Sequence, residues 1–141
     1  MDLGISGRNA ILLASSRGLG YACAESLARE GVNVVVNGRT ATDVEKAVNE
    51  LITKYSVRAT GVVGDSSTDE VQQALINACP APDIVLLNGE GPSPKMFSDI
   101  SNADMTESVQ RSLTAPLMFL QRVIPGMCER KFGRIIAISS A

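Results

Sequence analysis

The sequence predicts an α/β fold, a doubly wound parallel sheet in three α/β/α layers, and two patterns predict it. Five short runs, most of them rich in Val, Ile or Leu, recur without polar alternation, as strands buried on both faces do. Longer stretches with apolar residues at helical spacing separate them. The resulting order, βαβαβαβαβ, implies right-handed crossovers within one sheet.

The predicted strands are 9–14 (NAILLA), 32–37 (VNVVVN), 59–63 (ATGVV), 84–87 (IVLL) and 134–139 (RIIAIS). The first helix, 18–30, has Leu19, Ala22, Cys23, Leu27 and Ala28 at helical spacing, and Gly31 is placed to stop it. The second, 42–54, has a stripe of Val44, Ala47, Val48, Leu51 and Ile52, and Thr42 with Glu45 reads as a capping box. The third, 67–79, turns Val71, Ala74, Leu75 and Ala78 inward and stops at Pro80. The last helical region, 103–130, is long: Pro116 should kink it or start a second helix, and Pro125-Gly126 should break it again. Pro92-Ser93-Pro94 reads as a loop after the fourth strand. No linker or repeat divides the chain, so 1–141 is read as one domain. The fifth strand ends two residues before the chain does, leaving an apolar strand at an open edge. The expectation is a chain cut off from a longer protein, with further strands missing after it.

Composition narrows the chemistry. The 141 residues are 45% apolar and 20% charged, which excludes disorder. A net charge of −2 gives no electrostatic case for nucleic acid or a membrane surface. No histidine is present, which removes Ser–His–Asp and Cys–His catalysis and His-ligated zinc. Cys23, Cys79 and Cys128 lie far apart and read as small buried hydrophobes in a reducing compartment. The amino terminus lacks a signal-peptide pattern and no run is long enough to span a membrane, so a cytoplasmic, soluble protein is expected.

The strongest local signal is Ala14-Ser15-Ser16-Arg17-Gly18-Leu19-Gly20, directly after the first strand and opening the first helix. Glycines there permit a tight turn, close approach to a pyrophosphate and helix–strand packing, while the helix start offers amides and a positive dipole end. Ser15, Ser16, Arg17, Gly18, Leu19 and Gly20 are therefore candidate phosphate-binding residues. At the end of the second strand, where an acid would hold the ribose hydroxyls of NAD, the sequence reads Asn37-Gly38-Arg39. Arg39 with Arg17 can instead embrace a 2′-phosphate through charge-assisted hydrogen bonds, which favours NADP (NADPH).

These segments resemble the short-chain dehydrogenase/reductase family, in particular its 3-oxoacyl-acyl-carrier-protein reductase-like branch, over essentially the whole chain. LASSRGLG is similar to the family's TGxxxGxG turn, with Ala14 in place of the first glycine. Gly64-Asp65-Ser66 matches the segment whose aspartate contacts adenine. Residues 83–92 resemble DILVNNAGGP, which places Asn88 and Gly89 beneath the cofactor. The strand ending Ser139-Ser140 resembles the one that carries the family's catalytic serine, carried over onto Ser140.

The resemblance implies a Rossmann-type domain and hydride transfer between nicotinamide and a small-molecule carbonyl or alcohol substrate. A tyrosinate–lysine pair would relay the proton, and the parent protein would be a homodimer or homotetramer. The departures bear on catalysis. The YxxxK motif would lie beyond Ala141, and neither Tyr21 nor Tyr55 can replace its tyrosine. Ser112 stands where the family's long helix carries the asparagine that holds a relay water. Leu87 and Glu90 alter the NNAG segment. The alternative is a catalytically inactive NADP-binding or scaffold homologue. A methyltransferase would want an acid ending the second strand, against Gly38-Arg39.

Several residues also have plainer readings. Asp65 is equally well read as starting a turn and capping the next helix. Glu90 reads as a solvated loop charge, and Arg130, Lys131 and Arg134 as structural cations near a helix end. Met96, Met105, Met118 and Met127 read as filling for the core or a subunit contact.

Overall fold

The computed structural model describes residues 1–89 and 91–139. Five strands form one parallel sheet in the order β3-β2-β1-β4-β5: β1 Asn9–Leu12, β2 Asn33–Gly38, β3 Ala59–Val63, β4 Ile84–Leu87 and β5 Arg134–Ala137. The helices are α1 Gly18–Arg29, α2 Ala41–Tyr55, α3 Asp69–Ala78, α4 Asn102–Val109 and α5 Ala115–Glu129, with a π-helical turn at Gln110–Thr114 joining the last two. A short 3₁₀ turn, Phe97–Asp99, follows the Pro92–Pro94 loop.

Pleating divides the central strands between two cores. Ala10 and Leu12 of β1, Val34 and Val36 of β2, and Ile84 and Leu86 of β4 pack with Ala24 and Ala28 of α1 and Ala47 and Leu51 of α2. Ile11, Val35 and Val85, which pair across the three strands, pack on the opposite face with Leu75 of α3 and Phe119, Val123 and Met127 of α5. The layers are thus α1 and α2, the sheet, and α3 and α5. β5 pairs with β4 at the sheet edge and is exposed along its length, with Ile135 and Ile136 among its residues.

Some sequence expectations need correction. The Thr42–Glu45 capping box is not formed: Thr40 is the N-cap residue of α2, and Thr42 lies inside the helix. The third helix starts at Asp69, because Thr68 caps it by accepting the Val71 N–H at 3.4 Å. Pro116 stands in the first turn of α5, directly after the π-helical turn, and the helical backbone runs through both. Pro125-Gly126 does not break α5, which runs on to Glu129 while buried Val123 and Met127 hold it on the sheet. The first and fifth strands are shorter than expected, ending at Leu12 and Ala137. Cys79 is buried, but Cys23 is only half-buried and Cys128 is exposed. Of the four methionines named above, Met127 fills the core; Met96, Met105 and Met118 are exposed, which excludes the core for them but not the subunit contact.

Gly31 ends α1 as expected, at φ +79°: its N–H donates to Ala28 O and that of Val32 to Leu27 O, a Schellman closure. The same pair of bonds closes α5, from Lys131 to Cys128 O and Phe132 to Met127 O, with Lys131 at φ +56°. Among the described residues no helix is long and apolar enough to cross a membrane.

Candidate functional site

Strand order reverses about β1, with β2 on one side and β4 on the other, and ligands of open parallel sheets bind at such a switch point, beyond the carboxyl ends of the strands. A cleft of about 220 Å³ opens there. Its wall takes Ala14, Ser16 and Arg17 from the turn after β1, Asn37 to Thr40 and Asp43 from the end of β2 and start of α2, Gly64 to Ser67 after β3, and Asn88 and Gly89 after β4. Arg111 and Pro116 close the far side.

A buried hydrogen-bond network shapes the turn. The Asn37 side chain, 1% exposed, accepts the Ala14 N–H at Oδ1 (3.1 Å) and donates from Nδ2 to the carbonyls of Val62 and Gly64 (3.1 Å each). The Ser15 hydroxyl donates to Leu12 O (2.7 Å) and accepts the Asn37 N–H (3.1 Å). Asn88 Nδ2 donates to Ala14 O (2.9 Å). The carboxyl ends of β3, β2, β1 and β4 are thus tied to one another around residues 14 and 15.

Backbone geometry explains the glycines. Gly18, at φ +59°, has open space where a Cβ would lie. At Gly20 a Cβ would lie 2.4 Å from Ala14 O, so only glycine lets α1 sit this close to the turn. Ala14 itself is at φ +45°, the left-handed region that glycine enters freely and alanine does not. Arg17 is the N-cap residue of α1, no side chain caps the helix, and no acid lies in its first turn. Its dipole end and amides therefore suit an anion.

The cleft is rich in guanidinium groups. Arg17 faces Asp43 across 4.0 Å, an exposed and weak pairing. Asp65 Oδ1 accepts from the Ser67 N–H (2.9 Å) and hydroxyl (2.7 Å), and Oδ2 accepts from Arg111 Nη2 (2.5 Å). Partial burial pushes the Asp65 carboxyl upward, but the two bonds from Ser67 and the charges of Arg111 and Arg39 outweigh it and hold it below the usual range.

Of the nominated residues, Ser16, Arg17, Arg39, Asp65, Ser66, Asn88 and Gly89 line the cleft together. Ser15 is buried and its hydroxyl is engaged inside the turn; Gly20 is buried beneath it, and Leu19 points its side chain into solvent, 68% exposed. Asp65 builds a turn, as its plainer reading held, although Thr68 rather than Asp65 caps α3. Ser112 lies in the π-helical turn, outside the cleft wall, with its hydroxyl donating to Ser108 O at 2.5 Å. Ser140 and Glu90 lie outside the described residues. Sequence reasoning missed Asn37 as the organiser of the site, although an amide inside the run VNVVVN is a signal of a buried polar anchor. It also missed Arg111, whose partner is 46 positions away.

The family model described as short chain dehydrogenase matches residues 8–141. The chain is 28% identical over 144 residues to the 3-oxoacyl-(acyl-carrier-protein) reductase FabG of Aquifex aeolicus, covering 99% of this chain and 58% of that protein. It is 30% identical over 139 residues to the inactive hydroxysteroid dehydrogenase-like protein 1 of Homo sapiens, covering 95% of this chain and 42% of that protein. The solved L-sorbose reductase from Gluconobacter frateurii, complexed with NADPH and L-sorbose, matches with a TM-score of 0.91 at 29% identity, over 97% of this chain and 54% of that one. A 3-oxoacyl-(acyl-carrier protein) reductase from Brucella melitensis with bound NAD matches with a TM-score of 0.85 at 25% identity, over 96% of this chain and 54% of that one. The chain spans about half the length of the relatives it matches.

Proposed function

The chain belongs to the short-chain dehydrogenase family, and on that premise we propose that it holds NADP for a reductase acting on a small-molecule carbonyl or alcohol, of the 3-oxoacyl reductase type. The observation that carries this reading is the pair Arg17 and Arg39 on one cleft wall beside the uncapped start of α1. An acid cannot take the place of Gly38 without rearrangement, because a Cβ there would lie 2.3 Å from Ser16 Oγ. The end of β2 therefore offers the ribose a cation rather than a carboxylate.

The described residues fit such a dinucleotide. The amides at the start of α1 and the open face of Gly18 suit its pyrophosphate, and Arg17 and Arg39 its 2′-phosphate. Asn37 and Asn88 fix the turn from behind, so these donors are aimed before the ligand arrives. NADPH, when bound, supplies the hydride. Ser140 is the group proposed to hydrogen-bond the substrate oxygen, and the whole protein pairs with a second copy of itself.

Titration with NADPH and NADH tests the reading. The unaltered chain should prefer NADPH, and Arg39→Ala should weaken NADPH alone by about 1–3 kcal/mol. Equal affinity for both, or no binding of either, rejects it.

A second reading, a dinucleotide-binding protein without turnover, is favoured by Ser112, whose hydroxyl is engaged with a helix carbonyl where the family carries asparagine. The human relative described as inactive supports it too. NADPH binding without loss of nicotinamide absorbance on addition of carbonyl substrates to the whole protein would select it.

A further inference from the structure

We propose that Arg111 is the base-stacking residue of the cleft, its guanidinium plane covering one face of the dinucleotide's adenine; this rests on the function proposed above and names a residue that sets its specificity. Strand order supplies the placement. The phosphate-binding turn follows β1, Arg39 and Thr40 follow β2, and Asp65 to Ser67 follow β3, next in line in the sheet. Phosphates, ribose and base therefore fall in that succession along the strand ends, and Arg111 lies at the third position, in contact with Asp65.

The geometry of Arg111 suits a ring. Its Nη2 donates to Asp65 (2.5 Å) and its Nη1 to Glu107 (3.3 Å), so two elements grip the edge of the guanidinium. A planar cation with engaged edges offers its weakly hydrated faces, which stack on aromatic rings. The side chain is 36% exposed, so the Asp65 pairing alone contributes little to stability. Arg111 is carried by the π-helical turn, a rare local widening found disproportionately at functional sites.

The test uses nuclear magnetic resonance titration of the full chain with two ligands: adenosine 2′,5′-bisphosphate, which carries the base, and inorganic pyrophosphate, which does not. Arg111→Leu should weaken the bisphosphate about 3–30-fold and leave pyrophosphate within about twofold. Arg111→Lys, which keeps the charge but not the plane, should lose nearly as much. Unchanged bisphosphate affinity in Arg111→Leu, equal weakening of both ligands, or full recovery in Arg111→Lys overturns the assignment. Should the leucine variant fail to fold, the lysine variant decides between the same outcomes. An unaltered chain that does not bind the bisphosphate overturns the proposed function and this inference together; one that binds it while the variants bind equally well overturns this inference alone.

Discussion

Asn37 is an amide enclosed among valines, and its position explains why the turn after β1 is rigid. Its side chain satisfies one N–H of the turn after β1 and two carbonyls at the end of β3. Asn37→Leu keeps the volume close and strands those groups, each costing about 1–3 kcal/mol if left unpaired. Urea unfolding should show a loss of about 2–4 kcal/mol, the lower figures reflecting partial access of water. A variant as stable as the parent would mean that the network is dispensable. Ala14 acts in the opposite sense. Held at φ +45°, it stores left-handed strain that Ala14→Gly should relieve, giving a net gain of about 0.5–1 kcal/mol after the looser unfolded chain is counted. Lys131→Gly, at φ +56° in the closure of α5, should behave alike in the same denaturation experiment. Ala14 was legible in the sequence as a substitution for glycine. The network behind it was not, because its hydrogen bonds join residues 23 to 27 positions apart.

At the scale of elements, α1 and α2 are joined by a polar ladder outside their apolar contact. The Tyr21 hydroxyl donates to Glu50 (2.8 Å), and Glu25 accepts from both the Tyr55 hydroxyl (2.8 Å) and Lys54 (2.5 Å). Partial burial, with Glu50 accepting the phenol proton and adding its negative charge, pushes Tyr21 up to about 12. A phenol whose pKa is raised on folding binds its proton more tightly in the native state. Its contribution is therefore complete below pH ~10, the unfolded value, and is lost as pH rises towards about 12. Thermal melts across that interval should show the parent losing stability faster than Tyr21→Phe, which has no proton to lose there; parallel slopes would refute the assignment. The strands, and the helices up to α3, were readable to within two residues because they are bounded by glycine, proline or polar turns. The last helical region was harder. Its periodicity spans α4, the π turn and α5 without interruption, and sequence gives no sign that Pro125 would be tolerated, since packing of Val123 and Met127 decides that.

The molecule as a whole carries one long apolar stripe away from its core. Met105, Val109, Leu113 and Leu117 recur every four residues along α4, the π turn and α5, and each is about half exposed. Spacing of four drifts around a regular α-helix, but the wider π turn at Gln110–Thr114 takes up part of that drift and keeps the stripe together. Neither sheet core claims these residues. A helix face of this kind is self-complementary about a two-fold axis, the commonest symmetry of protein pairs, so the stripe is the surface on which the proposed pairing would form. Removing four half-exposed apolar side chains per copy from water suffices for association only if both copies contribute, and a charge at the centre should abolish it. Sedimentation velocity should therefore find the parent chain dimeric at micromolar concentration. Leu113→Glu with Leu117→Lys should shift it to monomer while leaving its circular dichroism spectrum like the parent's, because both positions lie outside the cores. A parent that sediments as a monomer at every concentration, or a doubly charged variant that remains dimeric, would move the pairing surface elsewhere.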